Sequence, residues 1–384
     1  MDIKDPLEQL TECIRDSNRP VGLFLGAGCG SSIRTESGEP LVPDTVGLTE
    51  EIEERAGSSG LSKAWEQIIT RVEHDDEINI EDVLSEIRGI LQYTSGETLY
   101  ELSYEELTKL EGEICEGICE VVDVELPSAE NGYKDLATWL ASVDREQPVE
   151  IFTTNYDLLL EQALESRNIT YFDGFVGGYR PFFDSYVVGN DEIPPRWIRL
   201  WKIHGSINWI SQEEDDSVRV WRSDDISGER AVIHPSHLKY DESRKMPYLA
   251  LIDRLEDFLN RSRSVMFIVG YSFGDEHLND IILQALQGTP SSNVFAFLYS
   301  DIDENPVAEE LALRQSNFTV YGPNRAVIGT EIVKWDTVES DSDPKSNVIG
   351  MDWEEREDDV WDQQFLLGDF REFGKFFRAV TGTT

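Results

Sequence analysis

Basic residues are scarce in this chain. Its 384 residues include 33 Lys and Arg against 76 Asp and Glu, a formal net charge of −43. An unneutralised acidic surface repels a phosphate backbone, so no direct nucleic-acid binding is expected unless a local basic patch or a partner reverses the field. Cysteine is also rare: the four are Cys13, Cys29, Cys115 and Cys119. That is too few for a disulfide scaffold and fits a reducing cytoplasm. Long apolar runs are missing too. None reaches the roughly 18–20 residues that span a bilayer, and the polar start MDIKDPLEQL does not read as a signal peptide.

What is present argues for a folded body. Hydrophobic residues make up 40% of the chain and aromatics 10%, with nine Trp, far from a disordered composition. The length suggests about two domains. Of the cations, ten are Lys and 23 are Arg. The acidity has two readings: a surface kept hydrated in high salt, or one made for a basic partner.

Periodicity places a short amphipathic helix in residues 1–20, with Leu7, Leu10, Cys13 and Ile14 at helical spacing. The apolar strand Val21–Leu25 then runs into Gly26-Ala27-Gly28-Cys29-Gly30. From residue 48 to 145 the pattern is helical, read as an insertion or subdomain, over Leu48–Ala56, Ser62–Val72, Ile80–Leu91, Tyr104–Cys119 and Tyr133–Val143. Strands resume at Val149–Thr154, Ile198–Ile203, Ser264–Val269, Val294–Tyr299 and Phe318–Tyr321, with Val218–Trp221 and Ala231–Ile233 expected to pair. Two-sided apolar strands alternating with helices predict an α/β fold, a Rossmann-like parallel sheet covered by helices on both faces, with the helical insertion after its first βα unit. The expected organisation is a nucleotide-binding core of 1–47 and 146–300, a helical part of 48–145, and a C-terminal part of 301–384. That last part would add a strand and end in an acidic, aromatic-containing tail, read as solvated or as a partner-docking strip around Trp353 and Trp361.

Four strand-end loops carry candidate chemistry, because ligands of open α/β sheets bind beyond the carboxyl ends of the strands. Gly26-Ala27-Gly28 lets the backbone approach a pyrophosphate, or is simply a glycine-rich turn. Thr153-Thr154-Asn155-Tyr156-Asp157 offers an amide suited to orienting a carboxamide or a water, or a helix cap. His204, one of only five histidines, sits beside Gly205 at a strand end and is a competent general base or a structural imidazole. Gly270-Tyr271-Ser272-Phe273-Gly274-Asp275 suits ribose and phosphate contacts, or is a capped turn with Asp275 at the cap.

Together these pieces resemble the sirtuin-like family, and more closely its bacterial and archaeal anti-phage defence branch. There a GAG loop, a strand ending in TNYD, an HG element and a late GYSFGD loop occur in this order; here they cover about 70% of the chain, residues 20–290. The resemblance implies an NAD-binding fold with Asn155 and His204 at the nicotinamide ribose. It places Gly26, Ala27 and Gly28 along the pyrophosphate, with Thr154, Gly270, Ser272 and Asp275 nearby. Asp157 would hold the carboxamide or cap the helix. The implied activity is NAD glycohydrolysis to ADP-ribose and nicotinamide, NAD being a substrate, in defence by NAD depletion. Alternatives are a protein deacylase, an ADP-ribosyltransferase, or an idle NAD-binding scaffold. Control would come from homo-oligomerisation or a partner, a HerA-like ATPase being favoured over a short Argonaute.

Departures from the family pattern are visible. Deacylating sirtuins carry a four-cysteine zinc module after the histidine, whereas no Cys follows Cys119 here. Cys115 and Cys119, at helical i, i+4 spacing, read as small buried hydrophobes, and no metal is expected. Gly30 occupies the place of a family serine, with Ser31 one position on. The 49-residue step from Asn155 to His204 leaves extra chain between Tyr171 and Pro195, expected to cover the pocket.

Overall fold

The structure is a computed structural model describing residues 1–58, 60–72, 79–93, 102–190, 193–214, 217–223, 247–340, 344, 346, 348–357 and 359–380. The chain opens with α1 (Lys4–Arg15), β1 (Val21–Leu25) and the short α2 (Gly28–Ser31). Five helices follow: α3 (Thr45–Ser58), α4 (Ser62–Val72), α5 (Ile80–Tyr93), α6 (Tyr104–Val122) and α7 (Gly132–Ser142). Next come β2 (Val149–Thr153), α8 (Leu159–Ser166), β3 (Tyr171–Phe172), β4 (Phe175–Val176), β5 (Phe182–Phe183) and α9 (Ser185–Asn190). They lead to β6 (Ile198–Lys202), β7 (Trp209–Glu214) and β8 (Ser217–Arg222). The rest comprises α10 (Tyr248–Leu259), β9 (Val265–Val269), α11 (Glu276–Gly288), β10 (Asn293–Phe297) and α12 (Pro306–Arg314). It ends with β11 (Phe318–Tyr321), β12 (Arg325–Ile328), β13 (Glu331–Lys334), β14 (Thr337–Glu339), β15 (Met351–Glu357), β16 (Val360–Phe365) and α13 (Phe370–Val380).

Strands β1, β2, β6 and β9 are buried at every residue, as expected of strands covered on both faces. Among the described residues nine strands form one sheet, ordered β13-β12-β11-β10-β9-β1-β2-β6-β3. The pairings from β11 through to β3 are parallel, and the β12–β13 edge is antiparallel. This is the α/β fold that the alternating pattern predicts. From β1 the chain proceeds to β2 on one side and later returns to β9 on the other. The switch point therefore lies at the carboxyl end of β1, where such sheets open a crevice.

Helices α3 to α6 share an apolar core of their own, including Ile52, Trp65, Ile68, Leu84, Ile87 and Leu110. Helix α6 starts at a capping box, Ser103 and Glu106 bonding each other's backbone N–H. Helix α7 instead belongs to the core against the sheet, with Tyr133, Leu136 and Trp139 buried there. The four cysteines are unbridged. Cys119 is fully buried, and burial pushes the Cys115 thiol up to about 12. Among the described residues no cluster of His, Cys, Asp and Glu is arranged to hold a metal, and no helix is long and apolar enough to cross a membrane.

One expectation is corrected. The C-terminal segment is not a solvated tail: β14, β16 and β15 form an antiparallel sheet, and α13 buries Phe370, Phe373, Phe376 and Phe377. Its phenylalanines recur at helical spacing, and burying four aromatic rings outweighs the solvation of the acidic residues before them. Strand β8 pairs with β7, two residues away in sequence, and with β5. The expected partner Ala231–Ile233 lies outside the described residues.

Candidate functional site

The four loops singled out above stand at the carboxyl ends of four neighbouring strands, β9, β1, β2 and β6. Register explains why. Leu25 pairs with Thr153 and with Val269, and Thr153 pairs with Lys202. Asn155 and His204 thus both lie two residues beyond one paired rung, on strands that run about 4.8 Å apart.

The glycines have a steric cause. Gly26 N–H donates to Val269 O (3.0 Å) and Gly28 N–H to Gly270 O (2.9 Å). A β-carbon at Gly26 would overlap the Gly270 carbonyl, and one at Gly28 would come within 2.9 Å of Gly270 Cα. Gly270 itself has φ +67, which favours glycine. These glycines join two loops, and around them Ala27, Gly28, Thr154, Asn155, His204 and Gly270 remain partly exposed. Gly26→Ala is expected to separate the loops and cost about 1–3 kcal/mol, as overpacking against rigid backbone does. A urea midpoint equal to that of the wild type would disprove this account.

Asn155 is tied into the same junction. Its Nδ2 donates to Gly26 O at 3.0 Å, and its N–H to Thr153 Oγ1 at 3.0 Å. Thr153 Oγ1 in turn donates to Leu25 O at 2.8 Å. Asp157 is buried and its Oδ1 accepts from Leu159 N–H at 2.9 Å, at the start of α8. Burial raises its pKa, opposed chiefly by the nearby Lys202 ammonium. Lys202, fully buried, donates to the Asp157 carbonyl and pairs with Glu161 at 2.9 Å. A buried cation needs such partners, and the contacts place Lys202 beneath the loop.

His204 is 11% and Asp275 7% exposed, and His204 Nε2 lies 3.2 Å from Asp275 Oδ2. The ring also stacks on Tyr156, with centroids 6.5 Å apart. The other Asp275 oxygen, Oδ1, accepts from the N–H groups of His277 (3.1 Å) and Leu278 (3.2 Å), capping α11. Asn279 holds this loop by donating to Phe273 O at 2.7 Å, where Phe273 has φ +60. Ser272 is exposed and accepts from Gly274 N–H at 3.4 Å. Ser31, next to the Gly30 departure, donates to Gly28 O within its own turn.

Tyr133 of α7 was not legible as a site residue. Its hydroxyl is buried beside the Asn155 side chain. Burial raises its pKa well above the ordinary phenol value, reinforced by the Asp157 carboxylate and opposed by a hydrogen bond with Asn155. Burial likewise raises the Cys29 thiol. Nothing in the local pattern of α7 distinguishes Tyr133 from an ordinary core tyrosine, since its place is set by the packing of α7 on α8 and α13.

Residues 149–321 match the family model of the SIR2-like domain. The matched span runs from the start of β2 to the end of β11. It takes in Asn155, Asp157, His204 and the 270–275 loop, while the Gly26–Gly28 loop precedes it. No curated protein matches this chain. A solved structure reported under "Structural Basis for the Mechanism and Regulation of Sir2 Enzymes" is similar over 79% of this chain and 89% of its own. Its identity is 11% and its TM-score 0.35.

Proposed function

We propose that the crevice binds NAD and hydrolyses its nicotinamide N-glycosidic bond, giving ADP-ribose and nicotinamide. The observation that supports this most is the placement of the Asn155 amide and the His204–Asp275 pair on adjacent strand ends, beside the Gly26–Gly28 loop. The similarity of residues 149–321 to the SIR2-like domain agrees with an NAD-related enzyme. The residues also fit the ligand chemically. The partly exposed rim carries no lysine or arginine to repel a cationic nicotinamide riboside end. Because the Gly26 and Gly28 N–H groups already donate to Val269 and Gly270, the pyrophosphate would meet the Ala27 N–H of that loop.

In the reaction the bond from C1′ to nitrogen breaks with both electrons going to nicotinamide, whose positive charge is thereby neutralised. Water adds to C1′, and His204 takes its proton. Such a departure through an oxocarbenium-like state needs geometry and modest electrostatic help more than a strong nucleophile. Asn155 orients the ribose or the water, and Asp157 shapes the loop that carries Asn155. By resemblance to the defence branch, the activity would deplete NAD during phage infection. Oligomerisation or a HerA-like ATPase would then hold it in check.

The direct test is to incubate the full-length protein with NAD, alone and with the candidate partner, and to quantify products by chromatography. Equal amounts of nicotinamide and free ADP-ribose are expected. Nicotinamide with ADP-ribose on protein instead would mean a transferase; binding without turnover in both settings would mean a scaffold. Affinity has an expected salt dependence as well. Lys202 is engaged below the loop, and the Arg180 guanidinium lies 3.6 Å from the Trp221 ring centroid. With a net charge of −43 and a negative ligand, NAD binding should tighten as salt shortens the Debye length from about 10 Å at 0.1 M to about 3 Å at 1 M. A steep loss of affinity by calorimetry would instead reveal a cationic contact.

A further inference from the structure

We infer that Asp275 is a positioning residue for His204, fixing the proton on the imidazole Nε2 and leaving Nδ1 as the nitrogen that accepts a proton. The inference rests on the hydrolase reading for its catalytic consequence, but its structural content stands on geometry alone. A carboxylate has no proton to give, so the 3.2 Å contact between Asp275 Oδ2 and His204 Nε2 requires the ring to donate. In a neutral imidazole that leaves Nδ1 with the lone pair.

The arrangement holds the ring from two sides. Oδ1 of Asp275 is anchored by the His277 and Leu278 N–H groups at the first turn of α11, where negative charge is favourably placed. Tyr156 stacks on the ring face at 6.5 Å between centroids, with the planes 30° apart. The sequence reading puts Asp275 among residues that touch the ligand. In the structure its carboxylate spans helix and histidine, so the same side chain caps α11 and orients the base. The cap and the base are coupled: the backbone of α11 sets where Oδ2 stands, and Oδ2 sets how the ring is turned.

Asp275→Asn separates these roles. Asparagine caps helices about as well as aspartate, so the fold is retained. Its amide nitrogen, however, donates where the carboxylate accepted. The imidazole must then present a lone pair to it, and the proton moves to Nδ1. Where a carboxylate fixes the tautomer of a hydrolase base, the corresponding change lowers kcat by about 10⁴; a loss of at least about 100-fold is expected here, with KM for NAD changed less than about threefold.

The decisive measurement is a long-range proton–nitrogen NMR spectrum of protein labelled in its five histidines, with His204 assigned by its absence in His204→Gln. The wild type should carry the proton on Nε2, and Asp275→Asn should carry it on Nδ1. Asp275→Ser, which keeps a cap but lacks the second oxygen, should lose the fixed tautomer while melting near the wild type. A wild-type proton on Nδ1, or a His204 spectrum unchanged in both variants, overturns the inference. So does unchanged kcat in Asp275→Asn when the wild type cleaves NAD. If the wild type shows the Nε2 proton and the expected shifts occur but no NAD is cleaved, the positioning role stands and the hydrolase reading fails.

Discussion

Alanine at His204 is expected to lower kcat for nicotinamide release about 10²- to 10⁴-fold, the usual worth of a positioned general base. Among the described residues the imidazole makes one side-chain hydrogen bond, to Asp275, and one ring contact, to Tyr156. Asp275 keeps its two backbone donors without it. The melting temperature should therefore move by only a few degrees. Asn155→Ala should be comparably inactive for a different reason and with a larger stability cost. Its Nδ2 ties the β2 loop to the Gly26 carbonyl, and losing such a bond costs about 1 kcal/mol. Steady-state kinetics with thermal melts on both variants separates the effects. Turnover equal to that of the wild type in both would remove the hydrolase assignment.

The largest stability effect is expected at Phe377. This ring on α13 is fully buried. It packs edge-on to Trp139 at 4.7 Å and to Phe267 at 5.4 Å, so it joins α7, the sheet and the C-terminal helix. Close helix approach reinforces the joint: a β-carbon at Gly374 would stand 2.7 Å from the Gly132 carbonyl oxygen. Phe377→Ala should cost about 3–5 kcal/mol, a large share of a total stability of about 5–15 kcal/mol. Urea unfolding would register it as a lower midpoint at constant slope. Phe377→Leu should retain roughly half the loss or better, because more of the cavity stays filled. If Phe377→Ala unfolds at the wild-type midpoint, α13 is not the structural element described above.

The strand-end loops were legible because their signals are local. Val21–Leu25, Val149–Thr153 and Val265–Val269 are mostly apolar and run directly into polar or glycine-containing turns, which is how a covered parallel strand ends. Helix positions were legible for the same reason, with Ser62–Val72 matching to the residue. Less local features were not. The acidic run before α13 hid the helical spacing of Phe370, Phe373 and Phe377, and the turn at Gly322 gave no cue that β12 and β13 would extend the sheet antiparallel.

Scarcity of positive charge was the first thing visible in the chain, and composition alone determined that any anionic ligand must be held against the bulk field. Sequence also determined which residue types stand at the strand ends, since periodicity and turn chemistry act over a few neighbours. Tertiary structure decided which of them meet. Asp275 reaches His204 across 71 residues, Tyr133 comes under the crevice from a distant helix, and Lys202 is consumed by Glu161. Those pairings depend on strand order and helix packing, which no local pattern encodes, because the burial that drives them is summed over the whole core.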